Sequence, residues 1–326
     1  MKIDLEFLNE ELPETLKDFF YALGGTPLFL FFLQVFTGVL LLIYYIPSYE
    51  SAYESVYRIT YTIPMGWWIR GLHRYGATLF IFTIFLHNIR VFVTRAYSSP
   101  REFTWVTGGI LLMLSLGAGF TGYSLINDQL SYWATKVGTE IAGSLPLVGH
   151  WLSVLIKGGE RISQFTISRL FTLHIFIIPL LLALFIAVHI FLVRRYGVSL
   201  ESERKYPLIP EHLYLEISIF IFLLTFITLI SAIFPPELGE KANPWKTPSH
   251  IKPEWYFYPL YLFLKLVPLK VGVLFPIFFL FIFLLYPFIE EGCERLTGRR
   301  GVLLLRTAGV LLYIYFVVAI IRESIY

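Results

Sequence analysis

Seven blocks of predominantly apolar residues, each about as long as a membrane span, constrain this sequence more than any other feature. A helix needs about 20 mostly apolar residues to cross the hydrocarbon core of a bilayer, because each residue adds only about 1.5 Å. The chain is 56% hydrophobic and 15% charged, whereas a soluble domain is nearer a quarter charged. We therefore predict an all-α membrane protein with seven transmembrane helices. The blocks are 25–46, 67–94, 105–126, 167–193, 213–234, 271–289 and 302–321.

The segments outside these blocks predict the domain organisation. Residues 1–20 mix charged and apolar side chains, which favours a helix lying in the membrane interface. A polar stretch at 201–210 separates the first four predicted spans from the last three, so we expect two domains, 1–200 and 201–326. Cys293 is the only cysteine, which leaves histidine and carboxylate as the ligands for any metal centre.

Two predicted spans each carry a pair of histidines at nearly the same spacing: His73 with His87, and His174 with His189. At about 100° per residue, fourteen steps return to within ~40° of the starting direction and fifteen steps to within ~60°. The paired histidines would lie ~21 Å apart along each helix, and polar residues inside membranes are usually functional.

Two imidazoles can ligate a haem iron from opposite faces. We therefore predict a four-helix bundle formed by the first four spans and holding two b-type haems. One haem would take His73 and His174 as its iron ligands, and the other would take His87 and His189. Zinc fits less well, because it normally requires three or four clustered ligands.

Glycines repeat the histidine spacing on the neighbouring spans. Gly24 and Gly38 are fourteen residues apart near the first span, and Gly108 and Gly122 are fourteen apart in the third. Because glycine lets a backbone approach a ligand closely, we expect these positions to make room for the haems. Ordinary packing of small residues between membrane helices is the alternative.

Three arginines lie within five residues of the predicted ligands and could bind the haem propionates. They are Arg70, Arg90 and Arg169. A guanidinium can pair with a carboxylate through two hydrogen bonds, although snorkelling to the interface is the alternative for Arg90. Trp105 could donate its indole N–H to a haem edge, or it could belong to an interfacial aromatic belt.

Several motifs occur in the order typical of one family: GWWIRGLHRYGA, FLHNIRVF, REFTWVTGG, TGYSL and TPSHIKPEWYF at 247–257. The chain thus resembles the cytochrome b family of quinol–cytochrome c and plastoquinol–plastocyanin complexes. The fifteen-residue histidine spacing resembles that of the chloroplast and Gram-positive branch of the family. In that branch the last three spans form a separate small subunit, which here is fused to the cytochrome b.

This chain departs from that branch at two places. Ala22 stands where the branch has the cysteine of a covalent extra haem, so both haems are expected to be non-covalent. Ile126 and Asn127 replace the family's Pro-Trp, which would alter one wall of the quinol pocket.

The resemblance implies that quinol is oxidised on the outer side, between the PEWY loop and the end of span three. Glu254 is the expected proton acceptor, and a structural contact within the loop is the alternative role. Tyr256 and Tyr123 are expected to line the quinol pocket, and packing in a membrane aromatic belt is the alternative for both. One electron would leave through a Rieske iron–sulfur protein toward a cytochrome c-type subunit. The other would pass from the outer haem, at His73 and His174, to the inner haem and then to a quinone on the inner side.

On the inner side, one of Glu211, His212 and Glu216 could relay protons, although polar residues at a helix start are at least as common. His150 and His250 have no matched partner and are expected to be loop residues. The resemblance further implies a dimeric complex in contact with membrane lipid, in an energy-transducing membrane such as the bacterial plasma membrane, with no nucleic-acid partner.

Two other functions stay open from the residues alone. A di-haem membrane anchor of a hydrogenase or formate dehydrogenase would have four or five spans and no PEWY loop. A transporter with structural histidines would bind no haem.

Overall fold

The computed structural model describes residues 11–14, 23–199, 204–249 and 251–325. Ala22, His250 and most of the expected interfacial helix lie outside these ranges. Within them, Glu11–Pro13 is a β-strand (β1) that pairs antiparallel with Lys205–Pro207 (β2). A proline inside a helix removes a hydrogen bond and clashes with the preceding turn, whereas a strand edge tolerates it. Glu11–Pro13 is therefore extended rather than helical, and the chain is not purely α.

Helices make up the rest of the regular structure in the described ranges. Apart from single turns, they are α1 (Gly25–Leu42), α2 (Ala52–Tyr61), α3 (Gly66–Val93), α4 (Glu102–Ser124), α5 (Gln129–Gly143), α6 (Gly149–Lys157), α7 (Gln164–Thr172), α8 (Ile178–Tyr196), α9 (Leu213–Ile233), α10 (Tyr258–Leu266) and α11 (Leu269–Ile325).

Six of the described helical segments are long and apolar enough to cross a membrane, so the chain is a multi-pass membrane protein. The predicted spans 271–289 and 302–321 both fall within α11, whose 57 residues would measure about 86 Å if straight. The backbone leaves the helical conformation at Gly298, with φ 66° and ψ −161°. The count of seven spans stays a prediction.

One compact unit comprises Met1–Tyr44, Ile59–Ala96 and Ile190–Glu237. Within it, α1 and α9 pack through aromatic stacking, with ring centroids of Phe29 and Phe220 4.4 Å apart. The contact between α3 and α9 depends on Gly71, where an added Cβ would lie 2.6 Å from the hydroxyl oxygen of Ser231.

The other compact unit comprises Tyr45–Arg58, Tyr97–His189 and Leu238–Tyr326. In this unit α4 packs closely against α11, because an added Cβ at Gly109 would lie 2.6 Å from a methyl of Leu284. The connecting helices have clear start signals: the carboxylate of Asp128 accepts the backbone N–H of Ser131 at the start of α5 (2.8 Å). The division into domains 1–200 and 201–326 stays a prediction.

Candidate functional site

Three of the four predicted ligand histidines are hydrogen-bonded to threonines on a neighbouring membrane helix. In each case the threonine hydroxyl meets the ring nitrogen Nδ1. The pairs are Thr37 with His73 (2.9 Å), Thr107 with His189 (2.9 Å) and Thr121 with His174 (3.2 Å).

The direction of these bonds follows from the second bond that each hydroxyl makes. The hydroxyl of Thr37 donates its only hydrogen to the carbonyl of Leu33, at 2.7 Å, one turn earlier in α1. It can therefore only accept from His73, whose Nδ1 must carry the proton. The lone pair of His73 is then on Nε2, which is the arrangement that a metal-ligating imidazole requires.

Three of the four expected glycines lie against the histidines themselves. An added Cβ at Gly38 would lie 3.4 Å from Cε1 of His73, and one at Gly108 would lie 3.3 Å from Cε1 of His189. The tightest case is Gly122, where the distance to Cε1 of His174 would be only 2.5 Å. Glycine at these positions lets each imidazole lie directly against the neighbouring backbone. Gly24, the fourth, immediately precedes α1.

His174 lies in a π-turn, Leu173–Ile177, between α7 and α8. A π-turn bonds residue i to i+5 and so takes one residue more than an α-turn. The fifteen residues from His174 to His189 therefore rotate about as far as fourteen α-helical residues. The offset of ~60° expected for this pair becomes ~40°, the same as for His73 and His87 on regular α3.

The donor set fits haem better than a bare ion. No group of three or more His, Cys, Asp or Glu side chains in the described ranges could hold a metal ion. A haem brings four nitrogens of its own and asks the protein only for axial ligands. Histidines that use Nδ1 for a hydrogen bond within the protein keep Nε2 as the metal-binding nitrogen and meet that requirement.

Trp105 uses its indole N–H within the chain. The side chain is 4% exposed and donates to the carbonyl oxygen of Phe283 at 2.7 Å. That carbonyl would normally accept the N–H of residue 287, which is Pro287 and has none. An indole has a single donor, and that of Trp105 binds α11 here. A contact of Trp105 with a haem edge stays a prediction.

Two of the predicted propionate partners also bind backbone carbonyls. Buried Arg70 donates to the carbonyls of Pro236 (2.6 Å) and Glu237 (3.3 Å), which fixes the chain after α9. Arg169 donates to the carbonyl of Leu155 at 2.9 Å, near the C-terminal end of α6, where helix carbonyls lack partners. Propionate binding by Arg70, Arg169 and half-buried Arg90 stays a prediction.

The PEWY loop packs near the end of α4. Half-buried Glu254 precedes a short 3-10 turn, Trp255–Phe257, and its carbonyl accepts the N–H of Phe257 at 2.9 Å. The ring of Phe257 meets Phe120 of α4 edge-on at 6.3 Å, three residues before half-buried Tyr123. The predicted outer-site segments are thus in contact.

Three aromatic residues follow Glu254 directly in the chain. Tyr256 lies between the rings of Trp255 and Phe257, at 5.5 and 4.8 Å. Burial raises the pKa of Tyr258, and the nearby charge of Glu254 raises it further. The hydroxyl of Tyr258 therefore stays protonated beside the carboxylate.

Comparison with known proteins identifies the family. Residues 8–197 match the family model for cytochrome b/b6/petB, and residues 241–323 match the model for cytochrome b(C-terminal)/b6/petD. A cytochrome bc complex cytochrome b subunit from Chlorobaculum thiosulfatiphilum is 36% identical over 88% of this chain and 70% of its own length. The chain belongs to the cytochrome b family.

Further relatives agree with this family. A cytochrome b6 from Heliobacterium mobile is 41% identical over 61% of this chain and 93% of its own length. A solved chain of a hyperthermophilic respiratory Complex III matches the fold with a TM-score of 0.78 and 27% identity, over 95% of this chain and 91% of that one.

Asn127, one of the two departures from the cytochrome b pattern, has a defined structural role. Its backbone lies in the left-handed region with φ 56°, which asparagine tolerates better than most residues. Its buried side chain donates to the carbonyl of Tyr49 at 2.8 Å. The turn between α4 and α5 is therefore stabilised by a polar side chain at the place of the family's tryptophan.

The residues expected to relay protons include two that are in contact at the start of α9. The hydroxyl of Tyr206 is hydrogen-bonded to Nδ1 of His212 (2.7 Å), and Nε2 of His212 lies 3.6 Å from Oε1 of Glu216. Burial raises the pKa of Tyr206, and the charges of Glu216 and Glu211 raise it further. An added Cβ at Gly25 would lie 2.6 Å from Oε2 of Glu216. Sequence reasoning missed Tyr206, which is seven residues upstream of α9.

Proposed function

We propose that this chain is the cytochrome b subunit of a bc-type complex. It oxidises quinol near one membrane surface and passes electrons through two b-type haems to a quinone near the other, which contributes to the proton-motive force. The observation that carries this proposal is the repeated arrangement of histidine, threonine and glycine on membrane-spanning helices. A transporter would have no reason to present three imidazoles with the same tautomer against glycine.

His73 and His174 would hold the outer haem and His87 and His189 the inner one, each through Nε2. When bound, the two haems supply one-electron transfer across the membrane, and no ligand position stays open for oxygen. Because Cys293 is the only cysteine, a CxxCH attachment within the chain is not possible, and both haems are non-covalent.

At the outer site Glu254 accepts a proton from quinol, and Tyr123 and Tyr256 bound the pocket. The support is the ring contact between Phe257 of the PEWY loop and Phe120 of α4, three residues from Glu254 and Tyr123 respectively, together with the half-buried position of Glu254. A carboxylate can accept a hydrogen bond from the quinol head group and receive its proton at the same position.

At the inner site Tyr206, His212 and Glu216 form the proton path to the reduced quinone. The side chains of His212 and Glu216 are 19% and 15% exposed, so the group reaches solvent while lying mostly within the protein. Histidine can exchange protons near neutral pH, and its two nitrogens here face two different proton carriers.

The remaining partners follow from this role. A Rieske iron–sulfur protein takes the first electron from quinol and delivers it to a cytochrome c-type subunit. The complex is dimeric and resides in an energy-transducing membrane, most simply a bacterial plasma membrane.

A haem count tests the proposal. The purified complex should contain two haems per copy of this chain by pyridine haemochromogen assay, and acid acetone should extract both. His87→Leu should leave one haem, whereas His150→Leu, at a side chain that is 82% exposed, should leave two. Loss of both haems from a folded His87→Leu protein would contradict the pairing. A haem-free wild-type chain would favour a transporter.

A further inference from the structure

The three threonine–histidine contacts form two-step hydrogen-bond relays. Each imidazole donates to a threonine hydroxyl, and each hydroxyl donates to a backbone carbonyl three or four residues earlier in its own helix. The hydroxyl acceptors are Leu33 at 2.7 Å for Thr37, Phe103 and Thr104 at 3.0 Å each for Thr107, and Gly117 at 2.8 Å for Thr121. In each case the backbone bond orients the lone pairs of the hydroxyl toward the ring.

The relays share a sequence pattern. Threonine precedes glycine in Thr37-Gly38, Thr107-Gly108 and Thr121-Gly122, so one dipeptide supplies both the hydroxyl and the space for the ring. Leu23, which has no hydroxyl, precedes the fourth glycine, Gly24. The pattern therefore covers His73, His189 and His174.

We propose that Thr37, Thr107 and Thr121 are positioning residues that set the reduction potentials of the two haems. This inference rests on the proposed function, since it requires that these histidines ligate haem iron. A hydrogen bond from Nδ1–H to an acceptor increases the electron donation of the imidazole to its metal. Stronger donation stabilises the ferric state, so each hydroxyl lowers the potential of the haem that its histidine ligates.

The alternative is that the three threonines have only a structural role, and a threonine with that role elsewhere in the chain serves as the control. Buried threonines often bond to the carbonyl one turn earlier without any further role. Thr139 in α5 does so, with its hydroxyl 2.9 Å from the carbonyls of both Thr135 and Lys136. This bifurcated geometry matches that of Thr107, but no hydrogen bond described for Thr139 involves a histidine.

The test is a redox titration of the complex with the two haems resolved by their absorbance. Thr37→Val should make reduction of the outer haem at least threefold more favourable, about 28 mV for a one-electron couple, and should leave the inner haem unchanged. Thr107→Val should raise the potential of the inner haem and leave the outer haem unchanged, although the backbone bond of His189 to Thr104 should reduce the size of this shift. Thr37→Ser and Thr107→Ser should restore the wild-type potentials, and Thr139→Val should move neither.

His174, the second histidine proposed for the outer haem, gives a further test. Nδ1 of His174 also lies 3.1 Å from the carbonyl of Ala118 and so keeps an acceptor without Thr121. Thr121→Val should therefore raise the potential of the outer haem by an amount that the remaining bond to Ala118 reduces. Where Thr37→Val fails to assemble, Thr107→Val with its serine counterpart decides the question on the inner haem.

Two results would overturn the inference. The first is that the valine variants keep both haems at their wild-type potentials. The other is serine variants that shift as far as the valine variants, because the hydroxyl would then be irrelevant. Both results require two bound haems in the wild-type protein. A wild-type protein without haem would instead refute the proposed function.

Discussion

The hydroxyl of Tyr97 donates a hydrogen bond to the carboxylate of Glu290, with 2.5 Å between the oxygens. The two residues are 193 positions apart in the chain and are only 1% and 2% exposed. Burial and the hydrogen bond to Glu290 raise the pKa of Tyr97, so the hydroxyl stays a donor at neutral pH. The contact joins the segment between α3 and α4 to α11.

Removing this donor should destabilise the protein. Tyr97→Phe deletes only the hydroxyl, and the loss of a hydrogen bond to a charged group costs about 1.5–3 kcal/mol. The midpoint of thermal unfolding in detergent should fall accordingly. Tyr214→Phe, at a residue that is 65% exposed, should leave the midpoint unchanged. Equal midpoints for the two variants would show that the buried contact adds no stability.

The contact between Trp105 and Phe283 predicts a coupling with Pro287. Trp105→Phe should cost about 1–3 kcal/mol of unfolding free energy, because the carbonyl of Phe283 loses its donor. Pro287→Ala supplies the missing backbone N–H, so the same tryptophan change should cost less than half as much in that background. A double-mutant cycle measured by detergent unfolding gives the coupling energy. A cycle without coupling would mean that the indole bond does not replace the helical one.

Gly122 should be essential for the outer haem. An added methyl would lie 2.5 Å from the ring of His174, so Gly122→Ala must displace the ligand. We expect loss or strong perturbation of the outer haem while the inner haem stays bound. Gly117→Ala on the same helix is the control, because its methyl would be 3.7 Å from the nearest atom, a methyl of Ile178. Normal outer-haem spectra in both variants would contradict the close approach.

Glu254→Gln keeps the shape of the side chain and removes the proton acceptor. Quinol oxidation should slow at least tenfold, equivalent to ~1.4 kcal/mol of barrier. Both haems should remain, and the pH profile of the residual activity should change. Glu240→Gln, at a surface carboxylate of the same long loop that is 79% exposed, should behave as wild type. An unchanged rate and pH profile in Glu254→Gln would remove its proposed role.

Much of the architecture follows directly from the sequence. The apolar blocks are helical because a backbone in hydrocarbon must satisfy its own hydrogen bonds. The histidine spacing predicts that His73 and His87 lie on one side of α3, and that His174 and His189 lie on one side of the fourth apolar block. The partners of Trp105 and Arg169 could not be predicted, since both are backbone carbonyls whose availability depends on tertiary packing. The carbonyl that Trp105 binds is available because Pro287 has no N–H.

The contacts of Thr37, Thr107 and Thr121 with the histidines could not be predicted from the sequence. Thr-Gly occurs before each of three expected glycines, yet a threonine in a membrane helix normally bonds only to its own backbone. Its second contact depends on the rotation of the facing helix, which periodicity alone does not fix. The spacing between His174 and His189 is one residue longer than that between His73 and His87, and the π-turn accounts for this extra residue.

The π-turn at Leu173–Ile177 has a consequence for how such chains diverge. A lineage that loses one residue there can close the wide turn into an ordinary one and keep both imidazoles on the same face. Insertions and deletions elsewhere between the two ligands would turn one of them away from its iron. Length variation in this helix should therefore concentrate in a single turn, and an alignment gap belongs there rather than beside either histidine.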